Sequence, residues 1–101
     1  MFQGWAPTTI SVLYVDDEPG LLDLAKLYLE KIGDFNVDTL SSVQFAMEQL
    51  NTVSYDAIVS DYQMPEIDGI CFLKRVRERF GDVPFILFTG KGREDVVIGA
   101  T

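Results

Sequence analysis

A chain of 101 residues that is 48% apolar has side chains enough for one packed domain, which excludes disorder. A formal charge of −8 without a histidine argues against a nucleic-acid surface, and a lone cysteine excludes an internal disulfide or a cysteine-rich zinc site, as suits a reducing, cytoplasmic setting. No segment approaches the apolar length that spans a bilayer, and residues 1–8 have neither the basic start nor the apolar run of a secretory signal; they read as a lead-in to a domain over 9–101.

The first predicted element is a strand, Ile10 to Val15, almost continuously apolar and so suited to the middle of a sheet covered on both faces. Asp16, Asp17 and Glu18 follow, and Pro19 fits the first turn of a helix whose apolar stripe is Leu21, Leu24, Ala25, Tyr28 and Ile32, with Gly33 ending it. Phe35 to Leu40 alternates, as a strand nearer a sheet edge does. Ser41 and Gln44 have the spacing of a capping box before a second helix whose apolar stripe is Val43, Ala46, Met47 and Leu50. A third strand, Asp56 to Ser60, ends at Asp61. The third helix carries Ile70, Leu73, Val76 and Phe80 and closes at Gly81; its basic cluster of Lys74, Arg75, Arg77 and Arg79 reads as a solvated face. Pro84 to Phe88 is a fourth strand, and a fourth helix is predicted from Arg93 or Glu94 to the chain end.

Strand and helix alternate with short connections, so right-handed crossovers build a doubly wound parallel α/β sheet. Ligands of such sheets bind beyond the carboxyl ends of the strands, where strand order reverses. That rule gathers Asp16, Asp17, Asp61 and Thr89 around one crevice. A strand-end Asp or Thr taken singly is more simply a helix cap. Four of them at the ends of three strands suit Mg²⁺, which takes oxygen ligands, with Asp61 as a carboxylate nucleophile toward phosphorus. The Thr89 hydroxyl can donate to a phosphoryl oxygen, and Gly90 leaves room for it. Gly90-Lys91-Gly92-Arg93 is not a dinucleotide fingerprint, because Asp95 occupies the third glycine position and the preceding strand is the fourth.

Three stretches, Val15-Asp16-Asp17-Glu18-Pro19, Asp61 to Gly69 with its D-x-x-M-P-x-x-D-G pattern, and Phe85 to Gly90, make the chain from about residue 9 onward resemble the receiver domain of two-component response regulators. The resemblance implies a flavodoxin-like (CheY-like) fold with strand order 2-1-3-4. It makes Asp61 the phospho-acceptor and places Mg²⁺ among Asp16, Asp17, Asp61 and the backbone carbonyl of Gln63, with Thr89 as the switch hydroxyl. The implied partners are a histidine kinase or phosphotransfer protein on one side and an output domain or downstream protein on the other. The activity would be Mg²⁺-dependent self-phosphorylation with slow self-dephosphorylation, that of a signalling module.

The family's phosphoryl-pairing Lys sits at the end of a fifth strand, which with the last helix is expected to be missing from this chain. Lys91, two residues past Thr89, does not correspond to it but borders the site; phosphoryl contact and a solvated loop position are both open to it. The fourth strand would then be an uncovered apolar edge. The chain is accordingly expected either to belong to a longer polypeptide or to self-associate there. The competing readings are a phosphorylation-independent docking domain and a small flavodoxin-like binder of an anion, the second disfavoured by the acidic crevice.

Overall fold

The computed structural model describes residues 9–88 and the backbone of residues 97–100. Eight elements follow one another: β1 (Ile10–Val15), α1 (Pro19–Ile32), β2 (Phe35–Leu40), α2 (Val43–Leu50), β3 (Ala57–Asp61), α3 (Gly69–Phe80), β4 (Phe85–Phe88) and β5 (Val97–Ala100). The sheet order is β2-β1-β3-β4-β5, with the first four strands parallel, as the doubly wound reading requires.

Handedness decides which face each helix covers. The chain steps one way from β1 to β2 and the other way from β2 to β3 and on to β4, so right-handed crossovers set α1 on one face and α2 with α3 on the other. Side-chain burial agrees. Leu13, Val15, Ile58, Phe85 and Leu87 from the sheet pack with Val43, Ala46 and Met47 of α2 and Phe72 and Val76 of α3. Phe72, absent from the predicted third stripe, is fully buried and meets Phe85 edge-on, ring centroids 5.2 Å apart. An aromatic pair of this kind adds about 1 kcal/mol beyond its buried area.

Three local expectations are corrected. Ser42 rather than Ser41 caps α2: its backbone is extended and its Oγ accepts the Phe45 N–H at 3.1 Å, so the box with Gln44 does not form. The apolar stripe read on α1 does not turn to the core but is largely outward, with Leu24 61% and Tyr28 60% exposed, and the buried contact is Leu22. On that face α1 alone crosses the described strands. Its stripe therefore borders an open apolar trough with Tyr14 and Phe88.

The third correction concerns the chain end. Residues 97–100 are not helical but form β5, antiparallel to β4 with Phe88 opposite Val97 and Phe85 opposite Ala100. A parallel return needs a crossover of about a dozen residues or more, and residues 89–96 are too few. A β-branched pair, Val97-Ile98, beside an apolar edge strand favours pairing over helix. The β4 edge is thus covered within the chain rather than left open. At the opposite edge, Glu30 accepts the Val37 N–H at 2.9 Å while Lys26 donates to the Val37 carbonyl at 2.6 Å, so α1 occupies backbone groups another strand would use. No helix of the described residues is long and apolar enough to cross a membrane.

Candidate functional site

β1 and β3 pair with Val15 opposite Ser60, so the next residue of each chain, Asp16 and Asp61, emerges beside the other at the carboxyl edge of the sheet. Asp17 follows in the turn that leads to Pro19 and α1. One carboxylate oxygen from each of the three lies within 4.8 Å of the others. Asp16 is 0% exposed and Asp61 1%. The Asp16 Oδ1 accepts the Glu18 N–H at 3.0 Å, whereas its buried Oδ2 has no donor among the described residues. The Gln63 N–H donates to Asp61 Oδ1 at 3.4 Å, which brings the Gln63 backbone to the same edge.

The electrostatics follow from burial. Loss of water around Asp16 raises its pKa from 3.8 to about 6, the neighbouring Asp61 and Asp17 carboxylates add to the rise, and the Glu18 hydrogen bond opposes it. Tyr14 is pushed up to about 12, by burial first and then by Asp16 and Asp61. Tyr14 was missed in the sequence, although strand alternation puts residues two apart on one face and Tyr14 is two before Asp16. Its ring stands 5.7 Å from that of Phe88, at the end of β4.

A hard cation fits this donor set. Octahedral Mg²⁺ at about 2.0–2.1 Å places neighbouring oxygens about 3 Å apart and opposite ones about 4 Å apart. Three carboxylate oxygens within 4.8 Å of one another are gathered closely enough for a single such ion to be held among them. The buried Asp16 Oδ2, lacking any protein donor among the described residues, is an acceptor that an aquo-cation's water would satisfy.

The loop after Asp61 is held tightly. Gly69 opens α3 and donates to the Tyr62 carbonyl at 2.9 Å, while Asp68 caps the helix by accepting the Cys71 N–H at 2.9 Å. Between them, the Ile67 N–H reaches the Pro65 carbonyl at 2.7 Å around Glu66, whose φ is +72°. A left-handed backbone costs a non-glycine residue about 1–2 kcal/mol. Glu66→Gly should therefore raise the unfolding free energy by about 1 kcal/mol in urea titrations; a loss would mean the Glu66 side chain makes a compensating interaction.

Of the predicted site residues, Asp16, Asp17 and Asp61 lie together at the sheet edge, and the Gln63 N–H lies beside Asp61. Thr89 and Lys91 lie outside the described residues. The basic cluster of α3 divides: Arg77 Nη1 donates to the Gly81 and Val83 carbonyls at 2.9 and 2.8 Å, closing the turn into β4, whereas Arg75 and Arg79 face α2.

A response regulator receiver domain model matches residues 12–101. Over 85 residues the chain is 39% identical to response regulator Rre1 of Synechocystis sp., an alignment that covers 82% of this chain and 37% of that protein. The chain spans 32–45% of the length of Rre1 and three further curated relatives, less than half in each case. Among solved structures, the N-terminal domain of a response regulator receiver protein from Methanoculleus marisnigri JR1 superposes with a TM-score of 0.77 at 29% identity, covering 83% of this chain and 69% of that one. Response regulator TrrA, solved in complex with histidine kinase ThkA, belongs to a structure matched at TM-score 0.75 and 30% identity, covering 87% of this chain and 77% of that one.

Proposed function

Because this chain belongs to the response regulator receiver domain family, we propose that it is a phospho-accepting switch whose acceptor is Asp61. The observation that carries this reading is the buried meeting of Asp16 and Asp61 with Asp17 at the carboxyl edge of β1 and β3. Like charges gathered in a desolvated place oppose folding, and handling a cation with an anionic substrate is a use that offsets this cost.

Asp17, Asp61 and the Gln63 carbonyl, with Asp16 through a water, would hold Mg²⁺, which when bound offsets their repulsion and neutralises charge on an incoming phosphoryl group. Asp61 then presents a carboxylate oxygen to the phosphorus of a partner's phosphohistidine. The P–N bond breaks as the new P–O bond forms, and the released imidazole nitrogen takes up a proton. The donor is a histidine kinase or a phosphotransfer protein, the kind of encounter seen for the structurally similar TrrA with ThkA. Thr89 follows Phe88, the register partner of Asp61, and its hydroxyl is the proposed reader of the phosphoryl group. Lys91 is the further cationic candidate beside it.

Intact-mass spectrometry after incubation with acetyl phosphate and Mg²⁺ tests the reading. One adduct of a single phosphoryl mass is expected, absent when EDTA is present. A chain that folds, binds Mg²⁺ and takes up nothing would instead be a docking module.

A further inference from the structure

Ser60 is an unexpected residue for its place. The strand registers set it between Val15 of β1 and Leu87 of β4, and all three are buried. Ile58, two residues back on the same face of β3, belongs to the apolar core with Val15 and Leu87. A hydroxyl moved from water into such a row costs about 1–3 kcal/mol unless it is hydrogen-bonded. An alanine would occupy the place without that cost. The bond that Ser60 makes goes to its neighbour in the chain, the phospho-acceptor: its Oγ donates to the carbonyl oxygen of Asp61 at 3.0 Å.

That carbonyl belongs to the first of two peptide groups that lead from Asp61 into the following loop. At the other end of the first group, the Tyr62 N–H donates to the Phe88 carbonyl at 2.8 Å. In the second group, the Tyr62 carbonyl accepts the Gly69 N–H at 2.9 Å, and the Gln63 N–H reaches back to Asp61 Oδ1 at 3.4 Å. The contacts with Phe88 and Gly69 run between backbone atoms. Ser60 brings a side chain to the same framework and holds the tilt of the first group. A change in that tilt moves the Asp61 Cα and the carboxylate it carries. It also stretches the Gln63 contact, which is already long for a hydrogen bond.

We propose that Ser60 is a positioning residue for phosphoryl transfer, its buried hydroxyl holding the Asp61 peptide group so that the carboxylate is aimed at phosphorus. The proposal rests on Asp61 being the acceptor. A misplacement of about 1 Å costs a reaction on the order of a hundredfold. With Phe88 and Gly69 still holding the backbone, loss of the Ser60 hydroxyl should cost less, about tenfold.

The rate of phosphoryl uptake, followed by intact-mass spectrometry over a range of acetyl phosphate concentrations with Mg²⁺ in excess, tests it. Ser60→Ala should lower the limiting rate about tenfold and leave the half-saturating concentration within about twofold of the parent's. Ser60→Thr keeps the hydroxyl on a side chain suited to a strand, and it should recover the rate to within about threefold of the parent. Should its added methyl prevent folding, Ser60→Cys takes its place. Close to serine in size and a weak donor, it should react faster than Ser60→Ala. Uptake by Ser60→Ala at the parental rate would overturn the proposal. So would a threonine or cysteine variant as slow as the alanine one, because the size of the side chain and not its hydroxyl would then be at work. A parent chain that takes up no phosphoryl group would remove the acceptor, and this role with it; the parental rate tells that failure from the other two.

Discussion

Asp61→Asn should take up no phosphoryl group from acetyl phosphate, yet in metal-free buffer at neutral pH it should be more stable than the parent chain. Asparagine keeps the shape of the side chain and an oxygen able to accept the Gln63 N–H, so the fold has no reason to change. What it removes is the nucleophilic oxygen and one of the negative charges packed against Asp16. The stability gain should be on the order of 1–2 kcal/mol, as expected for a buried like-charge contact.

The pH dependence gives an independent reading of the same contact. A carboxyl raised from 3.8 to about 6 by folding binds its proton more tightly in the folded state. Its contribution is therefore fully present below about pH 4 and is lost as pH rises through about 6. A shift of that size corresponds to roughly 2–3 kcal/mol for a metal-free chain moved from acid to neutral pH. Asp61→Asn should keep the part of this loss that desolvation causes and shed the part due to its own charge. Mg²⁺ should raise the urea midpoint of the parent by mass action, and that of the variant by less. A phosphoryl adduct on the variant, or a variant less stable than the parent at pH 7 without metal, would refute the assignment of Asp61 and the repulsion argued for the site.

Gly69→Ala should be the most damaging single methyl in the described chain. A Cβ there would stand 2.4 Å from Leu87 Cδ2, 2.5 Å from the Asp61 carbonyl oxygen and 3.1 Å from the Tyr62 Cα. Two of those three neighbours are backbone, and Leu87 is 1% exposed, so nothing nearby can yield cheaply. The helix cannot back away without losing the Gly69 to Tyr62 hydrogen bond. A loss of about 3 kcal/mol or more is expected, together with slower phosphoryl uptake, because the displaced backbone is that of Asp61 itself. Gly20→Ala, with nothing within 4 Å of the new methyl, should instead be neutral or gain up to about 1 kcal/mol. Urea titration of the pair reads both; a Gly69→Ala loss below about 1 kcal/mol would show that the start of α3 is free to shift.

Much of this molecule could be read from residue order because its signals are local. Ile10 to Val15 is apolar at nearly every position, as suits a strand in the middle of a sheet, and Pro19 and Gly33 mark the bounds of α1 found in the structure. The carboxylate site was legible for a related reason. Parallel strands in a doubly wound sheet share one carboxyl edge, and residues that end them meet there whatever the side-chain packing. Tyr14 carried the same signal through strand alternation but lacked a chemical reason to be singled out.

Other features depended on partners distant in the chain. The stripe of α1 has helical spacing, but spacing says only that Leu24 and Tyr28 share a side; with one helix on that face, much of their surface stays in water. Ser41 and Ser42 are equivalent as letters, and the choice fell to whichever hydroxyl the entering chain aimed at the Phe45 N–H. Residues 97–100 suit a helix or a strand, and the open edge of β4 decided between them. Arg75, Arg77 and Arg79 look alike in sequence, yet one closes a turn and two face a furrow. Residue order by itself determined the sheet, its parallel sense, and the meeting of Asp16, Asp17 and Asp61, because periodicity and crossover handedness act locally. Only the tertiary structure decided what each helix face covers, how the chain end pairs and how far Asp16 is stripped of water, since burial is set by surfaces remote in sequence.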